Sequence, residues 1–170
     1  MQDFKNSKFY PIFKKISEKG SMEEKDYQLE GIHWAIKCET GTLPYGVHGG
    51  IIADDMGLGK TFQVICLLAC NFKRRTLIVL PPILIQQWVD AFIKITGHTP
   101  FVYHGKFTKI KDPESIIKLN SAPIVITSYG MIVKKEKPNN IHNVLWDRIV
   151  YDEAHHLRNK NTSFIKIIIN

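Results

Sequence analysis

The sequence predicts an α/β fold, with a parallel β-sheet covered by helices on both faces. Three observations predict it. After residue 50, short β-branched runs alternate with segments of helical period. The runs are continuous Val and Ile rather than alternating, as in strands buried on both sides. Gly and Pro punctuate the joints between them. At 170 residues, the chain is long enough for one domain with a real core and too short for two full-sized ones.

The elements follow in order. Residues 1–24 are Lys- and Phe-rich without a clear period, and are expected to form a partly irregular lead-in. Residues 25–38 place Leu29, Ile32, Trp34, Ile36 and Cys38 among polar residues and read as a short helix. Glycines from Gly41 to Gly50 mark a loop. Gly50–Ala53 is expected to be a short buried strand, Asp54–Gly59 a turn, and Lys60–Phe72 an apolar helix. Thr76–Leu80 is a β-branched strand closed by Pro81 and Pro82, and Ile83–Ile95 is a helix. Phe101–Tyr103 is a third strand, and Pro113–Asn120 is a helix that Asp112 is placed to cap. Ile124–Thr127 is a strand followed by a short helix from Tyr129. Lys134–Asn140 is a polar loop, Trp146–Tyr151 a strand, and Ser163–Ile169 an apolar, helical tail.

Composition narrows the class. With 44% hydrophobic and 23% charged residues, the chain is neither disordered nor fibrous. No apolar run reaches the ~20 residues of a membrane span, and Met1–Lys19 lacks the apolar centre of an export signal. The expectation is therefore an intracellular protein that is neither secreted nor in the membrane. Three cysteines make no full disulfide framework, which fits a reducing compartment. The net charge is +7, and most of the excess lies after residue 85, with 12 basic against 7 acidic side chains. That balance is compatible with a polyanionic partner.

In a parallel sheet, ligands sit beyond the C-terminal strand ends. The strongest motif is there, Asp54-Asp55-Met56-Gly57-Leu58-Gly59-Lys60-Thr61. Its glycines let the backbone turn tightly and bring N–H groups against phosphate oxygens. The helix from Lys60 aims its N-terminal dipole at the same anion. Lys60 supplies a point charge to the β- and γ-phosphates, and Thr61 a hydroxyl to Mg²⁺. The plainer reading is a Gly-rich strand-to-helix turn with a chance Lys-Thr. The general phosphate-loop pattern has Gly where this chain has Asp54.

The second motif, Asp152-Glu153-Ala154-His155, follows the strand that starts at Trp146. Adjacent carboxylates are costly to bury unpaired, and a metal ion beside a phosphate offsets that cost. Asp152 would hold Mg²⁺, and Glu153 would orient or deprotonate the attacking water. The plainer reading is an exposed acidic turn. His155 and His156 have no further ligand at zinc spacing, and Cys66 and Cys70 read as small core residues. Phosphate loop and distal carboxylates together describe a nucleoside triphosphatase.

These motifs together resemble the first, N-terminal motor lobe of SWI/SNF-type chromatin-remodelling ATPases, in helicase superfamily two. The segment from Gly50 to Thr61 is similar to that family's phosphate loop, in which Asp54 is the usual residue and Asp55 replaces a Glu. Asp152 to Asn159 is similar to its extended acidic motif, with His156 where Arg is commoner. Tyr27-Gln28-Leu29-Glu30-Gly31 resembles the glutamine motif. Leu77 to Pro82 with Gln87-Trp88, and Val125 to Tyr129, resemble the two segments that touch the nucleic-acid backbone. The resemblance spans about residues 25 to 160.

The resemblance implies a three-layer, RecA-like P-loop lobe over residues 25–170, incomplete at its C-terminal end. It implies ATP and Mg²⁺ as cofactors, with Gln28, Asp54, Met56, Gly57, Leu58, Gly59, Lys60 and Thr61 at the nucleotide. Lys60, Asp152 and Glu153 would be catalytic, and Thr61 and Asp152 the metal ligands. Pro81, Trp88, Thr127 and Ser128 would meet nucleic acid, and double-stranded DNA, free or in a nucleosome or transcription complex, would be the partner. Taken as bare residues, Gln28 reads more readily as a solvated helix residue and Trp88 as core, while Thr127 and Ser128 could simply cap the following helix. The family's next motif and its second lobe, with the arginine fingers, are expected to be missing. The chain alone is then expected to bind nucleotide weakly and hydrolyse it very slowly. The rivals are a viral-type DNA-dependent NTPase acting in transcription and a non-hydrolysing DNA- or protein-binding module. The expected location is the nucleus or a viral compartment.

Overall fold

A computed structural model describes residues 2–41, 48–133 and 140–155. They fall into two compact units, one built from Met1–Phe72 with Asp90–His98, the other from Lys73–Val89 with the chain after Thr99.

The first unit is helical. It contains α1 (Gln2–Lys5), α2 (Tyr10–Lys19), α3 (Asp26–Glu39) and α4 (Lys60–Cys70). The lead-in is more regular than its sequence period suggests, because aromatic burial rather than an amphipathic stripe orders it. Phe4 and Phe13 are fully buried. Their rings meet edge-on at 6.1 Å, and Phe13 meets Phe62 of α4 at 6.2 Å. Leu29 and Ile32 of α3 and Ile65 and Cys66 of α4 complete this core.

The second unit holds a four-stranded parallel sheet in the order β2-β3-β1-β4. The strands are β1 (Thr76–Leu80), β2 (Phe101–Val102), β3 (Ile124–Ser128) and β4 (Arg148–Tyr151). β1 is central and buried at every position, so both of its faces are covered. Leu77 pairs with Val125 and Ile149, and Val79 with Thr127 and Tyr151. On one face Leu77, Val79 and Val125 pack with Leu119 of α6 (Pro113–Ser121), Ile132 of α7 (Tyr129–Ile132) and Trp146. The Asp112 carboxylate caps α6 by accepting from the Glu114 amide at 3.4 Å. A short 3-10 turn, Pro82–Leu84, leads into α5 (Ile85–Thr96).

Two expectations are corrected. Gly50–Ala53 is not a strand, since it joins no ladder among the described residues and Ile51 is 83% exposed. An apolar run becomes a strand only when neighbours take its N–H and C=O groups. β4 starts at Arg148 instead of Trp146, because the Trp146 indole turns into the core and donates to the Ile141 carbonyl at 3.3 Å. The polar loop after Val133 and the apolar tail from Ser163 lie outside the described residues.

Leu77→Ala, at the fully buried centre of β1, is expected to cost about 2–5 kcal/mol in urea unfolding. Ile51→Ser is expected to change the same midpoint by less than about 0.5 kcal/mol, as at an ordinary surface site.

Candidate nucleotide-binding site

The first unit contains the phosphate loop, which leads directly into α4. Gly57 and Gly59 both have positive φ, 86° and 79°. Gly59 is the left-handed residue from which α4 starts, and a Cβ there would lie 2.7 Å from the Gln28 amide nitrogen. Only glycine satisfies both demands. The first bond across this helix start runs from the Gln63 amide to the Gly59 carbonyl at 3.0 Å. The amides of Lys60, Thr61 and Phe62 precede it, so they have no acceptor one turn back. Such amides are the donors a phosphate needs.

Side chains hold the loop in shape. The Lys60 ammonium donates to the carbonyls of Asp54 at 2.6 Å and Asp55 at 3.0 Å. Gln28 is buried, and its amide donates to the Leu58 carbonyl at 3.1 Å. The glutamine motif and the phosphate loop are thus brought together, and Gln28 is not a solvated helix residue. Met56 is 94% exposed at the tip. Thr61 is partly buried in the first turn of α4.

Gln63 was not among the sequence candidates. It is fully buried and its amide donates to the Asp54 carboxylate at 2.7 Å, while its own carbonyl oxygen lacks a partner among the described residues. A signal was present. Beyond its first two residues, α4 is apolar except for this glutamine, and a buried amide requires partners. Asp54 therefore contributes its side chain as well as its backbone to the loop.

Cys66 and Cys70 are buried and unbridged in α4. Burial pushes both thiols up, Cys70 to about 12. They are core residues.

In the second unit, parallel strands bring the ends of β1, β3 and β4 to one sheet edge. Pro81, Ser128 and Asp152 all follow or close those strands there, with Ser128 opposite Leu80. The Asp152 amide donates to the Val79 carbonyl at 2.9 Å. Its carboxylate oxygen Oδ2 accepts from the Trp88 indole at 2.8 Å. Its backbone carbonyl accepts from the Tyr129 hydroxyl at 2.7 Å. Burial, and then the Asp152 carboxylate, raise the Tyr129 hydroxyl above its usual range, so it stays a donor. Glu153 is exposed and has a positive φ of 54°, a left-handed conformation that costs a non-glycine residue energy. His155 Nδ1 lies 3.2 Å from its carboxylate.

Three of the four residues expected at nucleic acid are buried. Trp88 is 3% exposed, so its ring is core and not a platform for bases. The Thr127 hydroxyl is buried and donates to the Tyr103 carbonyl at 2.8 Å. Ser128 is buried and starts α7 without a side-chain capping bond. Pro81 is partly exposed, and Ile83 in the following turn is 86% exposed.

Residues 27–170 match the family model described as the SNF2-related domain. The chain belongs to this family. It is 33% identical over 151 residues to the ISWI chromatin-remodeling complex ATPase ISW2 of Saccharomyces cerevisiae, a match covering 85% of this chain and 13% of that protein. It is 30% identical to the probable ATP-dependent DNA helicase CHR12 of Arabidopsis thaliana, over 96% of this chain and 15% of that protein. DNA repair protein rad8 of Schizosaccharomyces pombe is 29% identical, over 81% of this chain and 15% of its own length. The fold is similar to the solved Sulfolobus solfataricus SWI2/SNF2 ATPase core in complex with dsDNA, with a TM-score of 0.64 and 28% identity. That match covers 84% of this chain and 28% of the solved one. The chain thus spans less than a third of each of these relatives. None of these relatives is viral, and a viral compartment gains no support. Among the described residues, no helix is long and apolar enough to cross a membrane.

ATP and Mg²⁺, which the family implies, fit the donors present. Lys60 and the amides of α4 suit phosphate in the first unit; the Thr61 hydroxyl there and, taken by itself, the Asp152 carboxylate of the second unit are each hard oxygen donors of the kind Mg²⁺ takes. Among the described residues no three His, Cys, Asp or Glu side chains gather. An Mg²⁺ ion held by one or two protein oxygens, phosphate and water needs no such cluster.

Gly59→Ala is expected to lower the unfolding midpoint, with a backbone cost of about 1–2 kcal/mol before the collision with Gln28 is added. Native Cys66 and Cys70 are expected to resist a thiol reagent at about pH 8 and to react in denaturant. Their folded values lie above the ordinary thiol value of 9.0. The stability they contribute is therefore full below that pH and falls as pH rises through it. Denaturation midpoints across that range measure the fall.

Proposed function

We propose that residues 25–170 are the ATP-binding first lobe of a DNA-dependent ATPase. In the full-length protein, hydrolysis would be coupled to movement on duplex DNA. The observation that carries this reading is the phosphate loop, in which Gly59, Lys60 and the buried Gln28 meet at the start of one helix.

In this reading the loop amides from Gly57 to Thr61 cradle the phosphates, and Lys60 neutralises the β- and γ-oxygens. Gln28 sits beside Leu58 to read the adenine. Asp54, tied to Gln63, keeps the loop closed around the nucleotide, and Met56 and Leu58 border it. Thr61 and Asp152 would each offer an oxygen to Mg²⁺, which would supply positive charge beside the phosphates. Glu153 takes the proton of the attacking water or orients it. At the other strand ends the partly exposed Pro81 would meet the DNA backbone, a contact that positions a duplex without reading its sequence, and the buried Thr127 and Ser128 would hold that edge in shape. The relatives' names place them in chromatin remodelling and DNA repair, which favours a nuclear location.

Arginine fingers supplied from outside these residues would complete the site, and such groups are worth ~10³–10⁵ in rate in related triphosphatases. The chain alone should therefore bind nucleotide and turn it over very slowly. Lys60→Ala is expected to weaken ADP binding by about tenfold or more, the loss of a charge-assisted contact. Asp152→Asn should remove the gain in affinity that Mg²⁺ brings. Calorimetric titration with and without Mg²⁺ measures both. Lys60→Ala binding like the parent would contradict the site, and strong DNA-stimulated turnover by the chain alone would contradict the shared-site reading.

A further inference from the structure

Trp88 has no role in the proposed chemistry beyond its place in the core, yet its polar atom is committed to that chemistry. Its indole N–H donates to Asp152 Oδ2 at 2.8 Å, and the ring is 3% exposed. The other Asp152 oxygen, Oδ1, accepts from the Glu153 amide at 3.0 Å. The backbone of Asp152 is held from two further elements, by Val79 at the end of β1 and by Tyr129 at the start of α7. The main chain is thus fixed without Trp88. What Trp88 adds, opposite the Glu153 amide on the other oxygen, is a hold on the rotation of the carboxylate.

We propose that Trp88 is a positioning residue for Asp152, holding its carboxylate in the orientation that accepts Mg²⁺. This deepens the proposed function and rests on Asp152 being the magnesium carboxylate. An indole has one donor and no acceptor, so it binds the ionised carboxylate in a single sense. The buried ring excludes a substitute water from its own side. Carboxylates that hold metals are themselves hydrogen-bonded, and loss of such a partner costs about 10–100-fold in metal affinity.

The test uses the full 170-residue chain and compares Trp88→Phe with Trp146→Phe. Both replacements keep a buried ring and remove an indole N–H. Trp146 donates to the Ile141 carbonyl, not to Asp152. ADP binding is measured while Mg²⁺ is titrated. Trp88→Phe should raise the Mg²⁺ concentration for half-maximal enhancement by about tenfold, with magnesium-free ADP binding unchanged. Trp146→Phe should leave that concentration as in the parent. An unchanged magnesium midpoint in folded Trp88→Phe overturns the proposal, as does an equal shift in Trp146→Phe. Asp152→Asn separates the two levels. If it keeps the magnesium response, the metal role of Asp152 fails. If it loses the response and Trp88→Phe does not shift it, only the positioning role fails. Should Trp88→Phe not fold, nitrogen-15 spectra of the parent replace it. The indole signal displaced by Asp152→Asn is that of Trp88. It should move when Mg²⁺ is added to the ADP-bound parent, and a stationary signal overturns the proposal.

Discussion

The bond from the Asp152 amide to the Val79 carbonyl sets the geometry of the second unit's functional edge. It continues the β1–β4 ladder one step beyond the strand, so the first acidic residue inherits the register of the sheet. β1 is buried along its whole length and cannot shift without moving every apolar side chain it carries. A carboxylate tied to that strand is therefore placed by the most constrained element nearby. Tyr129 and Trp88 add two further bonds, each from a different element.

The phosphate loop is held by another kind of constraint. Its shape comes from side chains that fold back on its carbonyls and on the Asp54 carboxylate. Lys60, Gln28 and Gln63 each close a different part of it. Polar side chains from α3 and α4 do there what a ladder does for Asp152. Gly59 is the backbone residue that permits this, since its lack of a Cβ leaves room for Gln28.

Much of this was legible in the sequence for physical reasons. The β-branched run Thr76–Leu80 needed no neighbour to identify it, because five consecutive buried residues leave no polar face to mislead. α4 was legible from its Gly-Lys-Thr start and apolar body. Gly50–Ala53 failed because strand identity depends on pairing, which composition does not encode. The aromatic lead-in was underestimated because its order comes from Phe4 and Phe13 meeting distant residues. Gln63 and the indole bond of Trp88 were missed for a related reason. A polar group that must be buried announces that a partner is needed, not which one it is.

The central claim is that the loop from Asp54 to Thr61 holds the phosphates of a nucleotide. Hydrogen exchange at the amides of residues 56–61, with and without saturating Mg·ADP, tests it most directly. The account predicts marked slowing at those amides, and clearly less slowing at the same nucleotide concentration when Lys60 is replaced by alanine. Unchanged exchange in the parent at saturating nucleotide would contradict it.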